Sequence, residues 1–309
     1  MISPAPHILV IGSANVDFTV KVERLPQVGE TVSGGDFLLS YGGKGANQAL
    51  AAHLAGAPVL MIAKLGRDAN GELLYRQLTA KGLNAQGFLR DAEAPAGVAL
   101  IMVDPQGHNL IATAAGSNRR LTVADVQALD ASAFVGGVLL TQLETPLETV
   151  EYGLRRARDQ GMTTILNPAP GRPLSPDLLA LPHIITPNET EASLLSGVAV
   201  TGLDSARRAG ERLLALGCRA VLVTLGAQGS LLVRQEEVKH FPPFPVTPVD
   251  ATAAGDAFNG VLAAALFEGR RLDEAIVRAN AAGALCVTKR GAQEALPSRQ
   301  EIEALLERV

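Results

Sequence analysis

Short runs of consecutive apolar residues alternate along this chain with stretches whose apolar positions recur every three or four residues. The runs at 8–11, 59–65, 138–143, 163–166, 184–185 and 220–225 are rich in Val, Ile and Leu and bounded by Gly, Pro or Asn. That is the pattern of strands buried on both faces. The intervening spacing predicts helices near 46–56, 68–81, 146–160, 189–196, 204–216, 255–268, 273–288 and 298–307. Asp68 and Thr122 are candidate N-caps, and Thr145-Pro146 puts proline at a first helical position. Strands alternating with helices of this length predict an α/β fold: a central, mostly parallel sheet with helices on both faces.

Two regions depart from that rhythm, 16–41 and 97–114. Val16, Phe18, Val20 and Val22 alternate with Asp17, Thr19 and Lys21, as a half-buried strand does. Residues 98–103 and 109–114 flank Asp104-Pro105-Gln106-Gly107, a hairpin-turn composition. These segments predict a small antiparallel β lid on a single α/β domain spanning 1–309.

Composition narrows the function. With 27 Lys+Arg against 31 Asp+Glu, the net charge of −4 excludes a binder driven by charge onto nucleic acid. No apolar run approaches the ~18 residues of a membrane span. The start, Met1-Ile2-Ser3-Pro4-Ala5-Pro6, lacks the basic and apolar stretches of a signal peptide, so a cytoplasmic protein is expected. Cys218 and Cys286 are too few for a disulfide or zinc framework and read as buried, inert thiols. The five histidines show no metal-ligand spacing.

Five segments could carry chemistry. Tyr41-Gly42-Gly43-Lys44-Gly45-Ala46-Asn47-Gln48 opens a helix, but Gly45 after Lys44 rules out a Walker A loop. Its glycines let a ligand approach the backbone, and Asn47 can present an amide to hydroxyls. Asn15-Val16-Asp17 follows the first strand and Glu144 ends another, where ligands of open α/β sheets sit. In the segment 250–260, Ala254, Gly255 and Asp256 fall at a helix N-terminus, which favours an anion. Asp256 either acts there as a base beside a phosphate or merely caps the helix. Asn188 and Glu191 share a helix face, and either suit Mg²⁺ or form a cap. Thr224-Leu225-Gly226-Ala227-Gln228-Gly229, alone, is only a turn.

In this order, and with Gly12-Ser13-Ala14-Asn15-Val16-Asp17, Gln142-Leu143-Glu144 and Asn167-Pro168-Ala169-Pro170, the segments resemble the ribokinase-like (PfkB) carbohydrate kinases through nearly the whole chain. The resemblance implies ATP-dependent phosphorylation of D-ribose at its 5-hydroxyl. Kinases of another sugar or nucleoside (deoxyribose, fructose, adenosine) and a non-catalytic sugar sensor are the alternatives. By the same resemblance the pentose would meet Asn15, Val16, Asp17, Gly43, Lys44, Gly45, Ala46, Asn47 and Glu144. Asp256 would be the general base, with Ala253, Ala254 and Gly255 forming an anion hole. The nucleotide would lie against Asn188, Thr224 to Gly229, Gly255 and Asn280. Mg²⁺ would be positioned by Asn188 and Glu191 through water. A K⁺ site would map to Asp250, Thr252, Cys286, Lys289, Gly291 and Ala295, where Ala295 replaces the serine of close relatives.

The lid has two apolar faces. In 98–103, Val98, Leu100 and Met102 point one way and Ala99, Ile101 and Val103 the other; in 109–114, Leu110, Ala112 and Ala114 lie on one face and Ile111 on the other. Covering one small polar sugar needs only one face. The second is expected to be covered by a second copy, giving a homodimer through the lid, with Ile101 as its marker.

Overall fold

The structure is a computed structural model that describes residues 5–128 and 131–308. Residues 1–4, read above for a signal peptide, lie outside it. In chain order the strands are β1 (His7–Ile11), β2 (Asn15–Val22), β3 (Gly34–Gly42), β4 (Val59–Gly66), β5 (Phe88–Asp91), β6 (Gly97–Val103) and β7 (Asn109–Ala114). They continue as β8 (Gly137–Thr141), β9 (Thr163–Leu166), β10 (Ile184–Ile185), β11 (Ala220–Thr224), β12 (Ser230–Arg234) and β13 (Glu237–Phe241). The helices are α1 (Lys44–Leu54), α2 (Ala69–Ala80), α3 (Val123–Gln127), α4 (Leu147–Asp159) and α5 (Pro176–Leu179). They end with α6 (Glu189–Ser196), α7 (Leu203–Ala215), α8 (Ala254–Phe267), α9 (Leu272–Cys286) and α10 (Arg299–Leu306).

A nine-stranded sheet runs β13-β12-β11-β10-β9-β8-β1-β4-β5. Its pairings are parallel from β5 through β11 and antiparallel across β11, β12 and β13. Side-chain alternation splits β1 between two cores. Ile8 and Val10 pack with Leu50 and Leu262 on one side of the sheet, and Leu9 and Ile11 with Val150 and Leu213 on the other. Each such fully buried aliphatic side chain contributes roughly 1.5–3 kcal/mol. No helix among the described residues is long and apolar enough to cross a membrane. Both cysteines are buried, and burial pushes each thiol up to about 12, as inert thiols require.

Asp68 and Thr122 cap α2 and α3 as expected. Pro146 does not take the first helical position; it is the N-cap of α4, with an extended ψ of 136°. The run at 138–143 leaves the sheet after Thr141, and Leu143 turns back to bond the carbonyl of Ala169.

The lid is a four-stranded sheet, β3-β2-β6-β7. Its two outer pairings are antiparallel, but β2 and β6 run parallel at its centre because both leave the large sheet in the same direction. Register sets the faces. Phe37, Val20, Met102 and Leu110 lie in one row, and Leu38, Thr19, Ile101 and Ile111 in the opposite one. Ile101 therefore shares the face of Asn15 and Asp17, and exposed apolar side chains stand on both faces, Phe37, Leu100 and Leu110 on one and Leu38 and Ile111 on the other.

Candidate active site

The loop after β1 and the start of α1 meet almost backbone to backbone. A Cβ on Gly43 would come within 2.6 Å of Ala14 Cα, and one on Gly45 within 2.6 Å of the Gly12 carbonyl carbon. Gly43 also sits at φ 89° as the N-cap of α1. These glycines let the helix dock on the strand and so aim Lys44 and Asn47. Val16 and Ala46, expected at the sugar, are 0% exposed and packed in the apolar core, so their side chains touch no ligand.

On the other side, α8 packs against α1 through small residues. A Cβ on Gly260 would lie 2.5 Å from both Ala51 Cβ and the Gln48 carbonyl oxygen. That close approach buries Asp256, the third residue of α8, against two amides. Asn47 Nδ2 donates to its Oδ2 at 2.9 Å, and Gln48 Nε2 to its Oδ1 at 2.9 Å. Gln48 is itself fixed, donating to Asn167 Oδ1 at 3.0 Å and accepting from Gln142 Nε2 at 2.6 Å. Asp256 caps nothing. The N-cap is Ala253, left-handed at φ 61°, and it supplies no side-chain bond. The N–H groups of Gly255 and Asp256 find no partner among the described residues.

Burial raises the pKa of Asp256, while Lys44 and the two amides pull against it. Burial opposes the charge of Lys44 too, but the carboxylates of Asp256, Glu144 and Glu191 outweigh it and hold the ammonium form. Asp17 is pushed up to about 7 by burial and by the charge of Glu144. Glu144 Oε2 accepts from Ser13 Oγ at 2.5 Å and from Lys44 N at 3.0 Å. Asn15 Oδ1 accepts from Asn118 Nδ2 at 2.7 Å, which leaves the Asn15 amide hydrogens for a ligand. Asn118 is anchored at both ends, its Oδ1 taking the Ala14 N–H at 3.0 Å and its Nδ2 reaching the Ala14 carbonyl at 3.2 Å. Two orphans remain among the side chains of this network, Asn47 Oδ1 and Gln142 Oε1, both buried without a partner.

Sequence reasoning missed Ser13, Gln48, Asn118, Gln142 and Asn167 as supports of the site. Only Asn118 lay outside the motifs it quoted, and a lone Asn in a loop carries no periodic or spacing signal.

Toward the other edge, Asn188 and Glu191 form a capping box. Asn188 Oδ1 accepts the Glu191 N–H at 2.8 Å, and Glu191 Oε2 accepts the Asn188 N–H at 3.0 Å. The pair thus offers Glu191 Oε1, whose carboxyl burial pushes up in pKa. A single free carboxylate oxygen fits a Mg²⁺ that keeps its waters and takes phosphate oxygens. Asn188 is bridged to Thr224, and Gly226 to Gln228 form an exposed turn beyond it. Leu225 is buried in the core, and Gly229 is held at φ 81° against the Phe241 carbonyl. Asn280 donates to the carbonyls of Phe241 and Pro242, which secures the segment after β13.

The residues expected around K⁺ are partly together. Asp250 bonds Thr252 and the Gly291 N–H, and Cys286 Sγ reaches the Thr252 carbonyl. The Lys289 ammonium instead pairs with Glu301 at 2.6 Å, and Ala295 is buried with no hydroxyl to offer. The residues present would fit the ion mostly through backbone oxygens, with the Asp250 carboxylate beside them.

The pfkB family carbohydrate kinase model matches residues 5–299. The chain belongs to this family. It is 40% identical to the ribokinase of Haemophilus influenzae over 298 residues, covering 96% of this chain and 97% of that one. Ribokinase from Thermotoga maritima superimposes with a TM-score of 0.89 at 36% identity, covering 98% and 100% of the two chains. A ribokinase from Arabidopsis thaliana, complexed with ribose and ATP, gives 0.89 at 32% identity over 98% and 99%. As a pfkB kinase the chain is a phosphotransferase with an alcohol acceptor.

Proposed function

We propose that this pfkB kinase transfers the γ-phosphoryl group of ATP to the 5-hydroxyl of D-ribose. The observation that carries the reading is Asp256, a buried carboxylate oriented by two amides beside the unpartnered N–H groups of a helix start. Phosphoryl transfer has a loose transition state, so alignment and charge stabilisation do most of the catalysis. Asn15, Asp17, Lys44, Asn47 and Glu144 hold the pentose so that its hydroxyl faces Asp256. That carboxylate accepts the hydroxyl proton as the oxygen bonds to phosphorus. Gly255 and Asp256 present N–H groups, with Ala253 and Ala254 shaping the turn, where charge gathers on the transferring group. The adenine nucleotide lies along Asn188 and the 224–229 turn toward Asn280. Mg²⁺ at Glu191, with Asn188 behind it, supplies charge neutralisation to the phosphates when bound. K⁺ among Asp250, Thr252, Cys286, Gly291 and the backbone of Lys289 and Ala295 supplies charge beside the 253–256 turn.

The same reading makes 1–309 one cytoplasmic catalytic unit with its lid at about 16–41 and 97–114. Two copies meet through the outer lid face, where Phe37, Leu100 and Leu110 are 62%, 56% and 45% exposed. Sedimentation should show a dimer that Leu100→Asp dissociates; a wild-type monomer at micromolar concentration sinks the dimer. For the activity, a coupled ADP-release assay compares ribose, 2-deoxyribose, fructose and adenosine. The highest kcat/KM belongs to ribose. No release with any acceptor would leave a sensor, and preference for another acceptor would reassign the substrate.

A further inference from the structure

Beneath Asp256 and the start of α8, buried amides and one hydroxyl close a ring of hydrogen bonds. Gln48 Nε2 donates to Asp256 Oδ1 at 2.9 Å and to Asn167 Oδ1 at 3.0 Å. Asn167 Nδ2 donates to the Thr186 carbonyl at 3.1 Å, and the Thr186 hydroxyl to Asn259 Oδ1 at 2.6 Å. Asn259 Nδ2 then donates to the Gly255 carbonyl at 2.8 Å. The ring thus leaves from the Asp256 carboxylate and returns to the peptide that joins Gly255 to Asp256. Thr186 and Asn259 are each 1% exposed, so neither side chain touches sugar or nucleotide.

Asn259 is an unfavourable choice for the inside of an apolar helix. It forms helix less readily than alanine, and burial demands that its amide be satisfied. Its two bonds give it a task. A carbonyl only accepts, so the amide nitrogen must face Gly255 and the amide oxygen must face Thr186. The single proton of the Thr186 hydroxyl goes to that oxygen rather than to the Leu166 carbonyl, 3.5 Å away. A peptide unit is planar, so a grip on the Gly255 carbonyl also fixes the direction of the Asp256 N–H at its other end. That N–H has no partner among the described residues. A bond accepted at the carbonyl also polarises the N–H as a donor. Thr186 stands two residues before Asn188, the cap of the box that offers Glu191 Oε1.

We propose that Asn259 and Thr186 are positioning residues for phosphoryl transfer, holding the Gly255–Asp256 peptide so that its N–H stays aimed at the transferring group. This rests on the kinase reading above. The pair ties the donor that meets the phosphoryl group to the loop that leads to Glu191. A donor fixed beforehand stabilises charge without having to turn as the charge develops. Its loss is therefore felt in the transition state and not in the binding of either substrate.

The test compares Thr186→Val, which keeps the shape and removes the hydroxyl, with Thr186→Ser, which restores a hydroxyl, and with Asn259→Leu, which removes both bonds. In the ADP-release assay with ribose, kcat should fall about tenfold in Thr186→Val and Asn259→Leu, less than the ~10²-fold or greater loss when such a donor is removed outright. KM for ribose and for ATP should stay within about twofold, and Thr186→Ser should recover most of kcat. A second readout needs no turnover. With ribose present, affinity for ADP plus aluminium fluoride, a mimic of the transferring group, should weaken about tenfold while affinity for ADP alone stays within about twofold. Equal weakening of both, as a merely structural role would give, overturns the proposal. So does wild-type kcat in folded Thr186→Val, or a Thr186→Ser enzyme as slow as Thr186→Val. If Asn259→Leu fails to fold, the two Thr186 variants still decide. A wild type that releases no ADP with any acceptor is a different result and strikes the kinase reading.

Discussion

The α1–α8 interface and the lid are built on opposite principles, although both face the same sugar site. Between α1 and α8 the approach is close: Gly260 lies against Ala51, Ala52 and the Gln48 carbonyl, and Asn47 and Gln48 touch Asp256. In the lid, all six residues of β7 are exposed and the outer face carries unpaired apolar side chains. Segments with few buried contacts open at low free energy, whereas a close-packed interior does not. On the proposed reading, the group that takes the proton therefore sits on the rigid part, and the part that admits and releases sugar is the loosely held one.

The sharpest way to probe the rigid side is Asp256→Asn. It keeps the shape and one of the two accepting oxygens but cannot take a proton, and kcat should fall at least about 10²-fold with the fold retained. Wild-type turnover would remove Asp256 from the chemistry. Gly260→Val attacks the same side by driving its side chain into Ala51 and the Gln48 carbonyl, without removing a polar side chain. Overpacking of this kind costs roughly 1–3 kcal/mol, seen as a lower denaturation midpoint, and Gln48 displaced from Asp256 should lower kcat as well. Unaltered stability would mean that close helix approach does not place the base.

At the junction of the two regions, Asn118→Ala frees Asn15 to rotate. The KM for ribose should rise several-fold, up to about tenfold, with the KM for ATP unchanged. Equal effects on both substrates would make Asn118 a support of the fold alone.

The smallest effect separates the regions by pH. Folding raises the pKa of the Asp17 carboxyl from 3.8 to about 7, so the folded state binds the extra proton in that range. The contribution of this group to the stability of the unliganded protein should then be full at the acid end and decline as pH rises toward 7, opposite in slope to that of ion-paired carboxylates such as Asp91. Asp17→Asn should flatten that decline in thermal melts. An unchanged slope would show that Asp17 is solvated in the open lid.

Much of this was legible before the structure. Strand and helix alternation depends on local periodicity, which is why β9 and β10 fall where the apolar runs lie. Glycines near Lys44 were read as letting a ligand approach the backbone, and the structure adds a second close approach, that of Gly43 and Gly45 to the backbone of residues 12–15. The capping box of Asn188 and Glu191 was visible as one of two readings of their spacing. A strand's alternation says which residues share a face but not which face turns inward: Ile101, expected away from the sugar, shares the face of Asn15 and Asp17.

By itself the sequence determined the alternating α/β architecture, the extra strands of the lid and the carboxylates and amides available for chemistry. These follow from interactions within a few residues of each position. Only the tertiary structure decided what each polar group is bonded to. Asn118 reaches Asn15 across 103 positions and Gln48 reaches Asp256 across 208. A hydrogen bond needs its partners within about 3 Å. Which amide meets which carboxylate is therefore set by how closely two distant helices pack, and in this chain Gly260 sets that distance.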